Sequence, residues 1–255
     1  MPADTARLVE VFSSFQGEGP YAGVPQVFVR FELCNLHCRY CDTPESLVRR
    51  ERFTVRAGPL GGGAAEERTN PASADDLLAI LDRVDPVEAR HHSISLTGGE
   101  PLLQSEFLAS FLPRATAGGR RRFYLETDAV LAKRLPAVLP HVAIVAADVK
   151  VASATGEAAR YEEHRAFLEA CAARKGVDVF VKIVVSRETT EDEIVTAVER
   201  SIPDLGVPVV IQPVTPFGGA EPPSLPALAA LTRAAARVAK DVRCLPQIHK
   251  LMRVP

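Results

Sequence analysis

Tryptophan is absent from this 255-residue chain, and aromatic residues make up only 6% of it. That scarcity leaves little for the stacking platforms that hold single-stranded nucleic acid. Neither sign of charge is in excess: 30 Lys and Arg face 32 Asp and Glu, for a net charge of −2. A polyanion-binding surface is therefore not expected. No apolar run reaches 18 residues, as a membrane-spanning helix requires. Met1–Leu8 also lacks the basic and apolar regions of a signal peptide. Five cysteines are too few for a disulfide-stapled secreted domain of this size. Together these absences predict a cytoplasmic protein that binds neither nucleic acid nor membrane, in a compartment where thiols stay reduced.

Apolar residues make up 47% and charged residues 24%, enough for one α/β domain over 1–255 with a full core. Apolar runs at Gln26–Leu33, Ser93–Leu96, Arg122–Leu125, Val142–Val145, Val177–Val185 and Val207–Ile211 read as strands. Helical patterns fall between or after them at Ala74–Val84, Ser105–Thr116, Ala129–Leu139, Glu157–Arg174, Thr190–Arg200 and Leu225–Ala239. Ser73 before Asp75-Asp76, and Thr190 before Glu191-Asp192-Glu193, are helix-start signals. Alternation of this kind implies a parallel sheet with right-handed crossovers. Six units are too few for a closed eight-stranded barrel, so a partial (β/α)6 TIM-like barrel is expected. The stretch 44–71 has no clean period and carries Gly61-Gly62-Gly63. It reads as an inserted excursion, part loop with room for a short hairpin or helix, and a solvated loop is a simpler reading than a substrate lid.

Three cysteines lie within eight residues: Cys34, Cys38 and Cys41, spaced C-x3-C-x2-C. Thiolates this close can converge on one inorganic centre, but a structural zinc needs a fourth ligand. His37 could complete a zinc knuckle, although it sits cramped between two of the cysteines. A cubane 4Fe–4S cluster held by three cysteines instead leaves one iron open for chemistry. The next apolar strand ends in Thr97-Gly98-Gly99-Glu100-Pro101. Paired glycines allow backbone to approach a ligand, and Glu100 could accept from an ammonium group. Both motifs follow strands, so both fall at the carboxyl end of the sheet, where α/β folds gather their chemistry.

Together the two motifs resemble the signature of radical S-adenosylmethionine (SAM) enzymes. Adding Phe15-Gln16-Gly17-Glu18-Gly19-Pro20, Arg30 on the first main strand and Asp42-Thr43 narrows the resemblance to the 7-carboxy-7-deazaguanine synthase family. It extends through Glu126-Thr127, Asp148-Val149-Lys150 and Gln212-Pro213-Val214 to the ending Pro246-Gln247-Ile248-His249-Lys250…Pro255. The resemblance implies a lyase that makes 7-carboxy-7-deazaguanine from 6-carboxy-5,6,7,8-tetrahydropterin, with loss of ammonia, on the queuosine pathway.

It further implies a 4Fe–4S cluster on Cys34, Cys38 and Cys41, SAM, and Mg2+ held by Thr43 with substrate oxygens. On the cofactor side it places His37, Tyr40 (against the SAM adenine), Gly98, Gly99 and Glu100. Glu126, Asp148, Lys150 and Gln212 complete that set. Phe15, Gln16, Gly17, Glu18, Arg30 and Thr97 fall on the substrate side. The tail is expected to fold inward, bringing His249 and Pro255 to the substrate. No side chain is expected to act as a catalyst itself, because the radical is carried by SAM. The implied partners are an electron donor such as flavodoxin or ferredoxin and a second copy, in a homodimer. Two departures from the family pattern stand out: Asp128 where Asn is usual, and Asp148-Val149-Lys150 where some members read Ser-Pro-Lys. Two alternatives stay open on the residues alone: another radical SAM enzyme such as a glycyl-radical activase, and a zinc-stabilised module without catalysis.

Overall fold

The computed structural model describes residues 4–202 and 206–255 of the chain. Strands β1 (Thr5–Ala6), β2 (Leu8–Phe15) and β3 (Pro25–Phe31) come first. They are followed by β4 (Arg52–Arg56), β5 (Glu66–Thr69), β6 (Ala72–Ser73) and helix α1 (Ala74–Val84). Next come β7 (Ser93–Gly98), α2 (Ser105–Thr116), β8 (Phe123–Thr127), β9 (Ile144–Asp148), α3 (Ala152–Thr155) and α4 (Tyr161–Ala172). The remainder is β10 (Asp178–Val185), α5 (Glu191–Ser201), β11 (Val209–Pro213), α6 (Leu225–Ala236), β12 (Val242–Cys244) and α7 (Ile248–Met252).

Ten strands form one sheet in the order β12-β11-β10-β9-β8-β7-β3-β2-β4-β5. From β12 to β3 every neighbour is parallel. This is the α/β arrangement expected from the alternating pattern, because parallel neighbours need crossover connections that cover the sheet. On β10, Val181, Ile183 and Val185 are buried on one face and Phe180 and Val184 on the other, as in a strand covered on both faces. Outside them, Leu77 and Leu81 of α1, Phe107 and Phe111 of α2 and Phe167 of α4 fill the layer between helices and sheet. Phe107 stacks on Phe111 at 5.4 Å, and Phe111 meets Phe123 of β8 edge-on.

Ser73 caps α1 as its sequence position predicts. Its Oγ accepts from Asp76 N at 3.1 Å, and Asp76 Oδ2 accepts in return from Ser73 N.

The structure differs from the sequence expectations in three places. Leu8–Phe15 is a strand, antiparallel to β3, with Phe12 stacked on Phe28 at 5.2 Å. In the 44–71 stretch the short hairpin that the sequence left room for replaces the simpler solvated loop: β4 and β5 pair antiparallel and extend the sheet beyond β2, burying Phe53 and Val55. Finally, Ala129–Leu139 is no α-helix. Pro136 and Pro140 each remove a backbone donor, and the segment forms 3-10 turns at Ala132–Ala137 and Leu139–His141.

His164 of α4 is fully buried, accepting from Lys150 N at Nε2 (3.1 Å) and facing Ala129 O from Nδ1 at 3.3 Å. Burial lowers its pKa from 6.5 to about 4. The folded state therefore resists a proton that the unfolded chain takes up below pH 6.5. Stability from this site is full above that pH and falls by roughly 3 kcal/mol as pH drops towards 4. Melts of wild type and His164→Asn across pH 4–7 check this. The variant should lose that part of the pH slope, and an unchanged slope would remove the assignment.

Candidate active site

A cavity of about 390 Å3 opens at the carboxyl ends of the parallel strands. Strand register builds its wall. Arg30 pairs with Thr97 across β3 and β7, and Asp148 pairs with Lys182 across β9 and β10, so these side chains stand side by side. Glu126 of β8 joins the row: its Oε2 accepts from Thr97 Oγ1 at 2.9 Å, and its Oε1 from Ser95 Oγ and Gln16 Nε2.

The cysteine loop follows β3, and Cys34, Cys38 and Cys41 all line the cavity as free thiols. Burial pushes the Cys34 thiol up to about 12 and raises Cys38 as well. Both would be neutral without a cationic centre to stabilise the thiolate. His37, by contrast, is exposed; its backbone N donates to Glu157 at 2.7 Å, and it is not among the cavity residues. Exposed on the far side of the loop, its side chain lies apart from the cofactor side on which the resemblance placed it.

Gly98 and Gly99 form the turn after β7. Gly98 has φ +122°, a region L side chains rarely adopt. A Cβ on Gly99 would collide with the Leu33 carbonyl and sit 3.0 Å from Cys34 N. The two motifs are thus in backbone contact: Gly99 N donates to Phe31 O, and Glu100 N to Leu33 O at 2.8 Å.

Glu100 corrects an expectation. Its side chain does not line the cavity to receive an ammonium group; it is fully buried behind the turn. There it accepts from Leu102 N (2.9 Å), Thr127 Oγ1 (3.0 Å) and Asp128 N (2.8 Å). Burial, then the nearby Asp128 carboxylate, raises its pKa. Its carboxyl therefore ties the glycine turn to the end of β8, an acceptor role aimed inward at backbone.

Three cavity-lining residues carry buried oxygens without a partner: Asp128 Oδ2, Asp148 Oδ1 and Gln212 Oε1. Acceptors left open in this way suit a ligand rich in donors, such as the ammonium and ribose hydroxyls of SAM. Tyr40 also faces the cavity, with Lys150 Nζ 3.1 Å from its hydroxyl and 5.3 Å from its ring centroid. Lys150 pairs with Asp148 at 2.7 Å.

The same cavity is lined by Phe15, Gln16, Gly17, Glu18 and Arg30. The Gln16 amide is committed within the protein, donating to Gln26 and Glu126 and accepting from Glu18 N at 3.0 Å. It holds the segment in place, with both amide protons used and only the second lone pair of Oε1 left for a ligand. Arg30 Nε donates to Glu10 at 2.9 Å, which leaves the terminal fork suited to a bidentate carboxylate contact.

Burial alone would raise the Glu18 pKa. The Lys182 ammonium and hydrogen bonds from Lys182 and Gln247 outweigh it and hold the carboxyl at about 2. The tail folds onto this wall: Ile248 N donates to Gly17 O at 2.8 Å, and Ser14 Oγ to Pro255 O at 2.7 Å. His249 and Pro255 both line the cavity. So does Thr43, whose Oγ1 lies 3.8 Å from Cys41 Sγ and 3.4 Å from Ser46 Oγ.

Lys182 and Gln247 escaped the sequence reading. Lys182 had a signal: a lone lysine inside the apolar run Val177–Val185. Gln247 had only its place before His249.

With this geometry in hand, comparison with known proteins is informative. The Radical SAM superfamily profile matches residues 28–201, and the chain is a member of that superfamily. Two curated proteins named 7-carboxy-7-deazaguanine synthase align over nearly all of it. That of Geobacter sulfurreducens is 39% identical over 97% of both chains. That of Methanopyrus kandleri is 36% identical over 98% of this chain and 95% of its own. The crystal structure of QueE from Escherichia coli shares the fold, with TM-score 0.62 and 20% identity over 95% of this chain and 94% of that one. This chain belongs to the 7-carboxy-7-deazaguanine synthase family. It is thus an enzyme of the radical SAM class, using a 4Fe–4S cluster and SAM, and the zinc-module and activase alternatives fall away.

Proposed function

We propose that the chain converts 6-carboxy-5,6,7,8-tetrahydropterin to 7-carboxy-7-deazaguanine and ammonia, with the residues around the cavity in the following roles. One observation carries the reading. The cysteine loop, the Gly98-Gly99 turn, the Glu18 carboxylate and the Arg30 guanidinium all face a single cavity of about 390 Å3, of a size for small ligands. When bound, the cluster and SAM supply one-electron reduction and hydrogen abstraction, which no side chain here can perform.

Cys34, Cys38 and Cys41 would hold the cluster. Gly98, Gly99, Tyr40, Glu126, Asp148, Lys150 and Gln212 would orient SAM, with Asp128 adding an acceptor. Arg30 would bind the substrate carboxylate through its fork. Glu18, an anion at any physiological pH, would accept from the guanidine-like edge of the pterin. Thr43 would offer its hydroxyl to Mg2+, a hard cation that keeps several waters and few protein ligands. His249, Pro255 and the tail would close the substrate side and exclude water.

Among the described residues no helix is long and apolar enough to cross a membrane. The reading carries with it a cytoplasmic setting, an electron donor such as flavodoxin or ferredoxin, and a homodimer.

An anaerobic assay tests it. Reconstituted protein, SAM, dithionite and 6-carboxytetrahydropterin should yield 7-carboxy-7-deazaguanine by mass spectrometry, more slowly without Mg2+. SAM cleavage without that product would discard the substrate. Thr43→Ala should raise the Mg2+ concentration needed, and an unchanged requirement would remove Thr43 from the metal.

A further inference from the structure

Lys182 is a buried cation on the substrate wall that the roles above leave unused. It lines the cavity and its side chain is only 15% exposed. Its Nζ donates to Glu18 Oε2 and lies 3.3 Å from Asp148 Oδ2. An ammonium group has three donors. Two carboxylates account for two of them, and one remains for the cavity. Burial alone would favour the neutral amine, but Asp148 and Glu18 together raise the pKa and keep it an ammonium. Glu18 is equally committed: Oε1 accepts from Gln247 Nε2 at 2.6 Å and Oε2 from Lys182, leaving lone pairs on both oxygens.

The wall therefore carries, in adjacent positions, a group that can only accept and a group that can only donate. The complementary ligand edge has N–H donors next to a carbonyl acceptor. That is the 2-amino-4-oxo edge of a pyrimidinone ring, which the proposed substrate and product share.

Resting on the function proposed above, we propose that Lys182 is a specificity-determining residue that donates to the ring carbonyl oxygen while Glu18 accepts from the neighbouring N–H groups. A 4-amino ring would put its own N–H against the Lys182 ammonium, and neither donor would be satisfied. A lysine that merely bridged Glu18 and Asp148 would be indifferent to that change.

The test is equilibrium binding to the reconstituted, SAM-loaded enzyme, followed by ligand fluorescence. The two probes are 6-carboxypterin and 2,4-diaminopteridine-6-carboxylate, which differ at position 4 and in the N3 proton that only the 4-oxo ring carries, so the part owed to Lys182 is read as the change in preference on substituting it. Wild type should prefer the 4-oxo ligand by about 100-fold, the scale set by leaving a buried donor unsatisfied. Lys182→Met should cut that preference by at least about 10-fold, while Lys182→Arg keeps it. If the methionine variant does not fold, Lys182→Gln carries the same readout. Its amide can turn an oxygen to the 4-amino ligand, so the preference should fall below about 10-fold.

A full preference in the Met or Gln variant would overturn the role of Lys182 and leave the substrate assignment intact. Failure of wild type to bind either pterin would overturn both together.

Discussion

Cys38→Ala is expected to yield a colourless protein that folds but neither cleaves SAM nor forms product. The thiol lines the cavity between two others and has no disulfide or structural partner to lose. Removing it takes away one of the three thiols proposed above to hold the cluster, and two thiolates cannot hold a cubane in place. Enzymes of this kind owe essentially all of their rate to the cofactor, so activity should fall by more than about 1,000-fold. Iron content and the visible absorption of the anaerobically reconstituted variant give the direct reading. The melting temperature of the cluster-free protein should stay near wild type. A full complement of iron in the variant would remove Cys38 from the ligand set.

Gly99→Ala should be nearly as damaging, by a different route. The new methyl group would meet the Leu33 carbonyl and the Cys34 amide, both backbone, so neither can rotate away. Relief requires the glycine turn or the cysteine loop to move by roughly 1 Å, a displacement that typically costs about 100-fold in rate. Overpacking adds about 1–3 kcal/mol of destabilisation. We expect weaker SAM binding and slower turnover in a protein that still takes up iron, seen by SAM titration beside iron analysis. Wild-type SAM affinity in Gly99→Ala would show that the close approach is not needed.

The sequence was most legible where the information is local. The cysteine run and Thr97–Pro101 each specify a loop after a strand, and six of the seven parallel strands announce themselves as apolar runs; the three-residue β12 at the sheet edge does not. Strand β2 was harder to see, since Ser13 and Ser14 interrupt its apolar pattern. The β4–β5 hairpin was obscured because β5 reads Glu-Glu-Arg-Thr, a polar edge with no core signature.

Glu100 shows the limit most clearly. Its neighbours in sequence allow either a ligand contact or an internal one. Only Thr127 and Asp128, brought alongside by the sheet, decide for the second. Lys182 is the opposite case: its place in an apolar strand marked it as costly, but its partners Glu18 and Asp148 are remote in sequence.

The contacts between residues 14–17 and 248–255 have a bearing on how the protein is made. Ser14 and Pro255 are 241 positions apart, so one wall of the cavity is complete only once residues 248–255 have emerged from the ribosome. The cysteine loop at 34–41 appears near the start. At ordinary elongation rates this leaves a window of roughly tens of seconds in which the thiols exist without the wall that later shelters them.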